Sequence, residues 1–165
     1  MADFPAGLDI SAERALSRQH VAHRASVALA GYVPAATGPL SALSLSAAVS
    51  ANSGRPFTVF AGSDVNGDGN PNSDRAGLLG RGTLRGPAYC SMDVGASWRI
   101  PIAGRVRGDL RVDAFNLFNR TNVRDLNTVW GSDDLTREPD ALLRFGSPRD
   151  VFNPRQIQLG LRVEF

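Results

Sequence analysis

Lysine is absent from this chain of 165 residues; all 18 of its Lys-plus-Arg cations are arginine, as the base composition of a GC-rich genome would give. The arginines are scattered, many beside Asp, with no stripe interleaved with aromatics. A pI near 9.3 therefore does not amount to a nucleic-acid surface, and no nucleic-acid partner is expected. Cysteine occurs once, at Cys90, which excludes an intrachain disulfide and reads as a small buried hydrophobe. Long apolar runs are also missing. The richest, residues 27–36, is interrupted by Gly31 and Pro34 and falls well short of the roughly 20 residues of a membrane-crossing helix. That excludes a helical membrane protein. It leaves a β-barrel open, because alternating strands average to a neutral hydropathy. No nucleophile elbow, phosphate-cradling loop or paired histidine site is present, so no enzymatic activity is expected. Residues 1–9 carry no basic segment followed by an apolar stretch, so no signal peptide is read there. A chain bound for an outer membrane is then expected as the C-terminal part of a longer protein.

What the chain does contain is alternation. From Gln156 to Phe165, Ile157, Leu159, Leu161, Val163 and Phe165 fall on one face of a strand, and Gln156, Gln158, Gly160, Arg162 and Glu164 on the other, because strand side chains have period two. The same zigzag predicts strands over residues 21–33, from residue 40 through an irregularity at 53–56 to residue 60, over 88–100, and over 105–119. One face carries Val27, Leu29, Leu45, Val49, Val94, Trp98, Leu110, Val112 and Phe118. The other carries Ser, Arg and Asp, with Asp109 and Asp113 beside Arg107 and Arg111 in a predicted ion-pair network. The predicted connections alternate: a short turn at 34–39, a long loop at 62–87, a tight turn at 101–104, a long loop at 120–152. Membrane barrels have short turns on one side and long loops on the other. Residues 1–19 read as an irregular polar lead-in, an extracellular loop with a short helix over 11–17, and residues 20–165 as barrel. The expected fold is all-β: an antiparallel up-and-down meander, the last strands of a transmembrane β-barrel. Five strands cannot close a barrel, since the smallest membrane barrels take about eight and the transporters about 22.

Four blocks in order, Ser53-Gly54-Arg55-Pro56-Phe57, Asp64-Val65-Asn66-Gly67-Asp68-Gly69, Phe115-Asn116-Leu117-Phe118-Asn119-Arg120-Thr121-Asn122 and Asn153-Pro154-Arg155-Gln156-Ile157-Gln158-Leu159-Gly160-Leu161-Arg162, resemble the barrel of TonB-dependent receptors of the Oar-like kind. The resemblance covers roughly residues 20–165. Gln158, Gly160, Val163 and Phe165 resemble the C-terminal signal read by the barrel assembly machinery. The resemblance implies an outer-membrane location, lipid contact, a remaining barrel and plug, TonB in the full-length protein, and ligand uptake through a plugged lumen. The chain itself carries no segment resembling a plug or a TonB box.

Asp64, Asn66, Asp68, Asn70 and Asp74 space oxygens as a calcium loop does, although the position of the bidentate Glu is Arg75. Calcium is the one cofactor this spacing suggests; the plainer reading is a solvated Asn/Gly turn. His20 and His23, three apart, would face opposite sides of a strand and do not form a zinc pair. A secreted calcium-binding β-sandwich that adheres to a surface is the alternative; it requires the apolar rows to be covered by a second sheet.

Overall fold

The computed structural model describes residues 13–33, 38, 42–77 and 79–165. Residues 1–12 of the lead-in, most of the expected 34–39 turn and the expected start of the second strand at residue 40 lie outside the described residues. The elements in chain order are β1 (Arg24–Tyr32), β2 (Leu43–Asn52), β3 (Pro56–Phe57), β4 (Leu84–Arg85), β5 (Tyr89–Ala103), β6 (Val106–Phe115), β7 (Val123–Leu126), β8 (Pro148–Val151) and β9 (Gln156–Glu164). No α-helix occurs among the described residues, and residues 14–17, expected to be helical, are irregular. The chain divides into two compact units.

The first unit is a sheet, built from His23–Asn52, Tyr89–Asn122 and Phe152–Phe165. Its five strands lie in the order β1-β2-β5-β6-β9, each antiparallel to the next. This is the up-and-down meander expected from the alternation. β1 and β9 have nine residues, β2 and β6 ten, close to the roughly 9–11 that cross a bilayer at a tilt.

Two boundaries differ from expectation. β5 has 15 residues and runs through Pro101, the expected start of a turn. Proline cannot donate to a ladder. Here it lies beyond Trp98, the last β5 residue in register with the described part of β2. The turn is instead the two residues Gly104 and Arg105, with Gly104 at φ +56°. A left-handed first central residue in a two-residue hairpin favours glycine. β6 stops at Phe115 rather than at residue 119, because Asn116 and Asn119 take φ of 49° and 51° and turn the chain. Phe118, expected on the apolar face of that strand, lies in this turn.

The second unit takes the residues up to Ala22, Ser53–Ala88 and Val123–Val151. Its centre is Thr58–Val59–Phe60–Ala61, whose first three residues the alternation assigns to a continuation of the second strand. The Phe60 amide donates to the Thr128 carbonyl (2.9 Å) and the Trp130 amide to the Phe60 carbonyl (2.8 Å). On the other side Ala61 donates to Asp74 (2.8 Å) and Ala76 to Val59 (3.1 Å). Val59, Phe60, Ala61 and Ala76 are buried, and Phe145 packs edge-on against Trp130. The segment leaves β2 because Gly54 meets the Gly86 backbone. A Cβ on Gly54 would lie 1.8 Å from the Gly86 carbonyl oxygen, an approach open only to glycine. Pro56 and Phe57 then pair with Arg85 and Leu84.

Candidate functional site: two opposed faces and an asparagine latch

Register turns the alternation of single strands into continuous rows. Leu29, Ala47, Val94, Ala114 and Ile157 are cross-strand partners in sequence, and so are Gly31, Leu45, Ala96, Val112 and Leu159. Leu43, Trp98, Leu110 and Leu161 form a third row. Every one of these side chains points to the same face, since directly opposed residues share a face. The face is bare: Leu29, Leu159 and Leu161 are 71%, 76% and 74% exposed. A sandwich would bury these rows under a second sheet, so the sandwich alternative fails here. All four buried hydrophobic residues of the described chain belong to the other unit.

The opposite face splits into two sectors. On β1, β2 and β5 it is small: Ala30, Ser46 and Gly95 lie in one row, and Ser44 and Ser97 in the next, which begins with Tyr32. On β6 and β9 it is charged. Arg99 Nε donates to Asp109 Oδ1 across the hairpin (2.9 Å). Arg111 grips Asp113 with two bonds, Nε to Oδ2 at 2.6 Å and Nη2 to Oδ1 at 3.2 Å. Arg162 pairs with Glu164 at 2.9 Å. The predicted network is thus present, with Asp109 served by Arg99 of the neighbouring strand rather than by Arg107. These carboxylates are bound as ion-pair acceptors, and Asp93 caps backbone: its Oδ1 accepts from the Asn116 amide (2.9 Å).

Asn116, Asn119 and Asn122 form a latch that the sequence did not announce as such. β5 outruns β6, which pairs with it only from Val94 onward. The start of β5 therefore needs other partners for its backbone on this edge. Asn122 provides them: its Nδ2 donates to the Cys90 carbonyl (2.9 Å) and its Oδ1 accepts from the Cys90 amide (3.0 Å). The side-chain amide imitates a missing strand residue. Asn116 Nδ2 donates to the carbonyls of Arg120 (3.0 Å) and Asn153 (3.2 Å), and Asn119 Oδ1 accepts from the Arg155 amide (3.0 Å). These bonds tie the end of β6 to the approach of β9. The signal in the sequence was an Asn at every third position, the residue type that tolerates left-handed backbone and bonds its own turn. Tyr89 packs edge-on against Phe152 beside the latch (5.0 Å between ring centroids).

The calcium-like loop uses its oxygens on its own amides. Asp64 accepts from Gly67, Asp68 and Gly69, and Asp74 Oδ2 from Val65 and Asn66. Asn66 and Asp68 close the next turns, and Asn70 accepts from Asn72. Among the described residues no group of three or more His, Cys, Asp or Glu is placed to hold a metal ion. Arg75, in the place of the missing Glu, pairs with Glu13. In the loop between β7 and β8, the Thr136 hydroxyl and amide hold the Asp134 carboxyl below the usual carboxylate range, with Arg137 adding to the effect. His20 and His23 both precede β1.

In the terminal strand Gln158 and Gly160 lie opposite Asp113 and Arg111 on the charged face, and Val163 opposite Gly108 on the apolar one. Phe165 is fully exposed. No helix among the described residues is long and apolar enough to cross a membrane. A family model described as an outer membrane beta barrel domain matches residues 70–158, more than half of the 165. No curated protein and no solved structure matches the chain. The bare apolar rows, the charged reverse face and this match agree: the chain belongs to the outer membrane beta barrel domain family, and it is a segment of barrel wall in the outer membrane.

Proposed function

We propose that this wall belongs to a TonB-dependent receptor of the Oar-like kind and serves the energised uptake of a ligand through a plugged lumen. The apolar rows meet lipid, the Arg/Asp face lines the lumen, and the two long connections stand outside the cell. The observation that carries this reading is the order of the four sequence blocks. Each has a distinct place in the fold. The first leads into the core of the loop unit, the second forms its Asx loop, the third the latch, and the fourth the last strand. The test is made on the intact protein. In a planar bilayer a plugged receptor carries no steady ion current, and it binds the purified periplasmic domain of TonB. A barrel that conducts steadily and ignores TonB would be a porin, and the proposal would fall.

Gln158, Gly160, Val163 and Phe165 are proposed as the signal read by the assembly machinery. Gly160 separates reading from folding. An added Cβ there would meet only the Arg111 Cβ, at 3.7 Å, an ordinary contact. Gly160→Ala is expected to fold into vesicles in vitro as the parent does, within about 0.5 kcal/mol. In cells its outer-membrane level is expected to fall several-fold, measured by membrane fractionation. Equal levels in both settings would remove Gly160 from the signal.

A further inference from the structure

The Asx loop between β3 and β4 holds the one Asn–Gly pair of the sequence, Asn66–Gly67. This pair carries its own chemistry. The Gly67 nitrogen, once it has lost its proton, can attack the Asn66 side-chain carbonyl carbon and close a five-membered imide. The Cγ–Nδ2 bond breaks, and that nitrogen takes up a proton and leaves as ammonia. Water then opens the imide at either carbonyl and gives aspartate or isoaspartate; no oxidant and no enzyme is needed. Glycine favours the step because no side chain crowds the closing ring. Both residues are exposed, and the space where a Gly67 Cβ would stand is open. Sterics therefore leave the pair unprotected.

Hydrogen bonds hold it instead. The Gly67 amide, which is the nucleophile, donates to Asp64 Oδ1 at 2.8 Å. A carboxylate at that place disfavours a second negative charge on the nitrogen, and the bond must break before the ring can close. The electrophile is held as well. Asn66 Oδ1 accepts from the Asp68 amide (2.8 Å), and Asn66 Nδ2 donates to Asp68 Oδ2 (3.2 Å). Asp64 Oδ2 accepts from the Gly69 amide (2.9 Å), which fixes the carboxylate itself. All of these bonds run between residues 64 and 69, so the arrangement is complete within the loop.

We propose that Asn66 is a self-modification site held shut by Asp64: its side chain becomes aspartate or isoaspartate when the loop opens, and stays asparagine while the loop is closed. The product has no donor for Asp68 and sets a carboxylate against it, so a loop that has reacted closes less well. The conversion is thus a one-way record of opening, and it stands apart from the receptor reading.

The intact protein and a synthetic peptide covering residues 62–72 are held in warm, mildly alkaline buffer, and conversion of Asn66 is followed by peptide mass spectrometry. Exchange of the Gly67 and Ala76 amides is followed in the same protein samples. The peptide is expected to convert at least about tenfold faster than the folded loop, the size of one lost hydrogen bond to a charged group. Asp64→Ala is expected to speed conversion in the intact protein by about the same factor. Exchange at Gly67 should rise with it, and exchange at Ala76, whose amide bonds Val59 in the core of the unit, should not change. Equal rates in peptide and parent protein overturn the proposal. So does unchanged or slower conversion in Asp64→Ala; a slower rate would make the carboxylate a base rather than a guard. Acceleration accompanied by faster Ala76 exchange also overturns it, because the effect would then belong to unfolding of the whole unit.

Discussion

Leu159→Arg is expected to lower the stability of the barrel in lipid by about 2–4 kcal/mol, the cost of an arginine on the lipid face near the bilayer midplane. Leu159 lies mid-strand in β9, in the row with Val112, Ala96, Leu45 and Gly31, and it is uncovered by protein. None of its neighbours in that row could pair with the new charge. The adjacent substitution is the control. Gln158→Arg puts the same side chain on the other face, opposite Asp113. It is expected to shift stability by no more than about 0.5 kcal/mol, as surface changes do. Denaturant unfolding of the intact protein in vesicles reads both. Equal effects at 158 and 159 would mean that the two faces do not see different solvents, and the assignment of lipid to the Leu159 row would fail.

Asn122→Ala is expected to produce the second large loss. It removes the partners of both backbone groups of Cys90 at a buried position, and each polar group left unsatisfied costs about 1–3 kcal/mol. The damage should be local before it is global, because β5 keeps its β2 partners at Ala51 and Asn52 on one side only. Cys90 itself reports the change. It is the only cysteine in the chain, and it is partly shielded. Its labelling by a thiol reagent is expected to speed up at least several-fold in Asn122→Ala, together with faster exchange of its amide. Unchanged labelling would show that the Asn122 bonds do not hold this end of β5.

The sheet is largely legible in the sequence, and the physical reason is its solvent. A wall with hydrocarbon on one side and water on the other must alternate at every residue, so Leu159, Val112 and Val94 declare their faces individually. What alternation cannot reveal is where pairing ends. Pro101 looks like a turn, because a proline inside a strand is tolerated only where no neighbouring carbonyl needs it. That condition depends on the neighbouring strand, a fact about another part of the chain. Asn116 looks like a strand residue for the same kind of reason. The stretch Thr58–Ala61 is readable as extended but not as the centre of a separate unit. Its partners Thr128 and Trp130 are nearly seventy positions away, a separation on the order that makes pairing a matter of topology rather than local pattern. Of the candidate residues, the charged face reads correctly as a network. The calcium spacing is carried by oxygens that the fold uses for its own amides.

The joint core of the loop unit sets an order of events. Phe60 has its hydrogen-bond partners in Thr128 and Trp130, which follow two further wall strands in the chain. The earlier connection therefore cannot complete its core alone; these bonds of Phe60 form only when the segment beyond β5 and β6 is also in place.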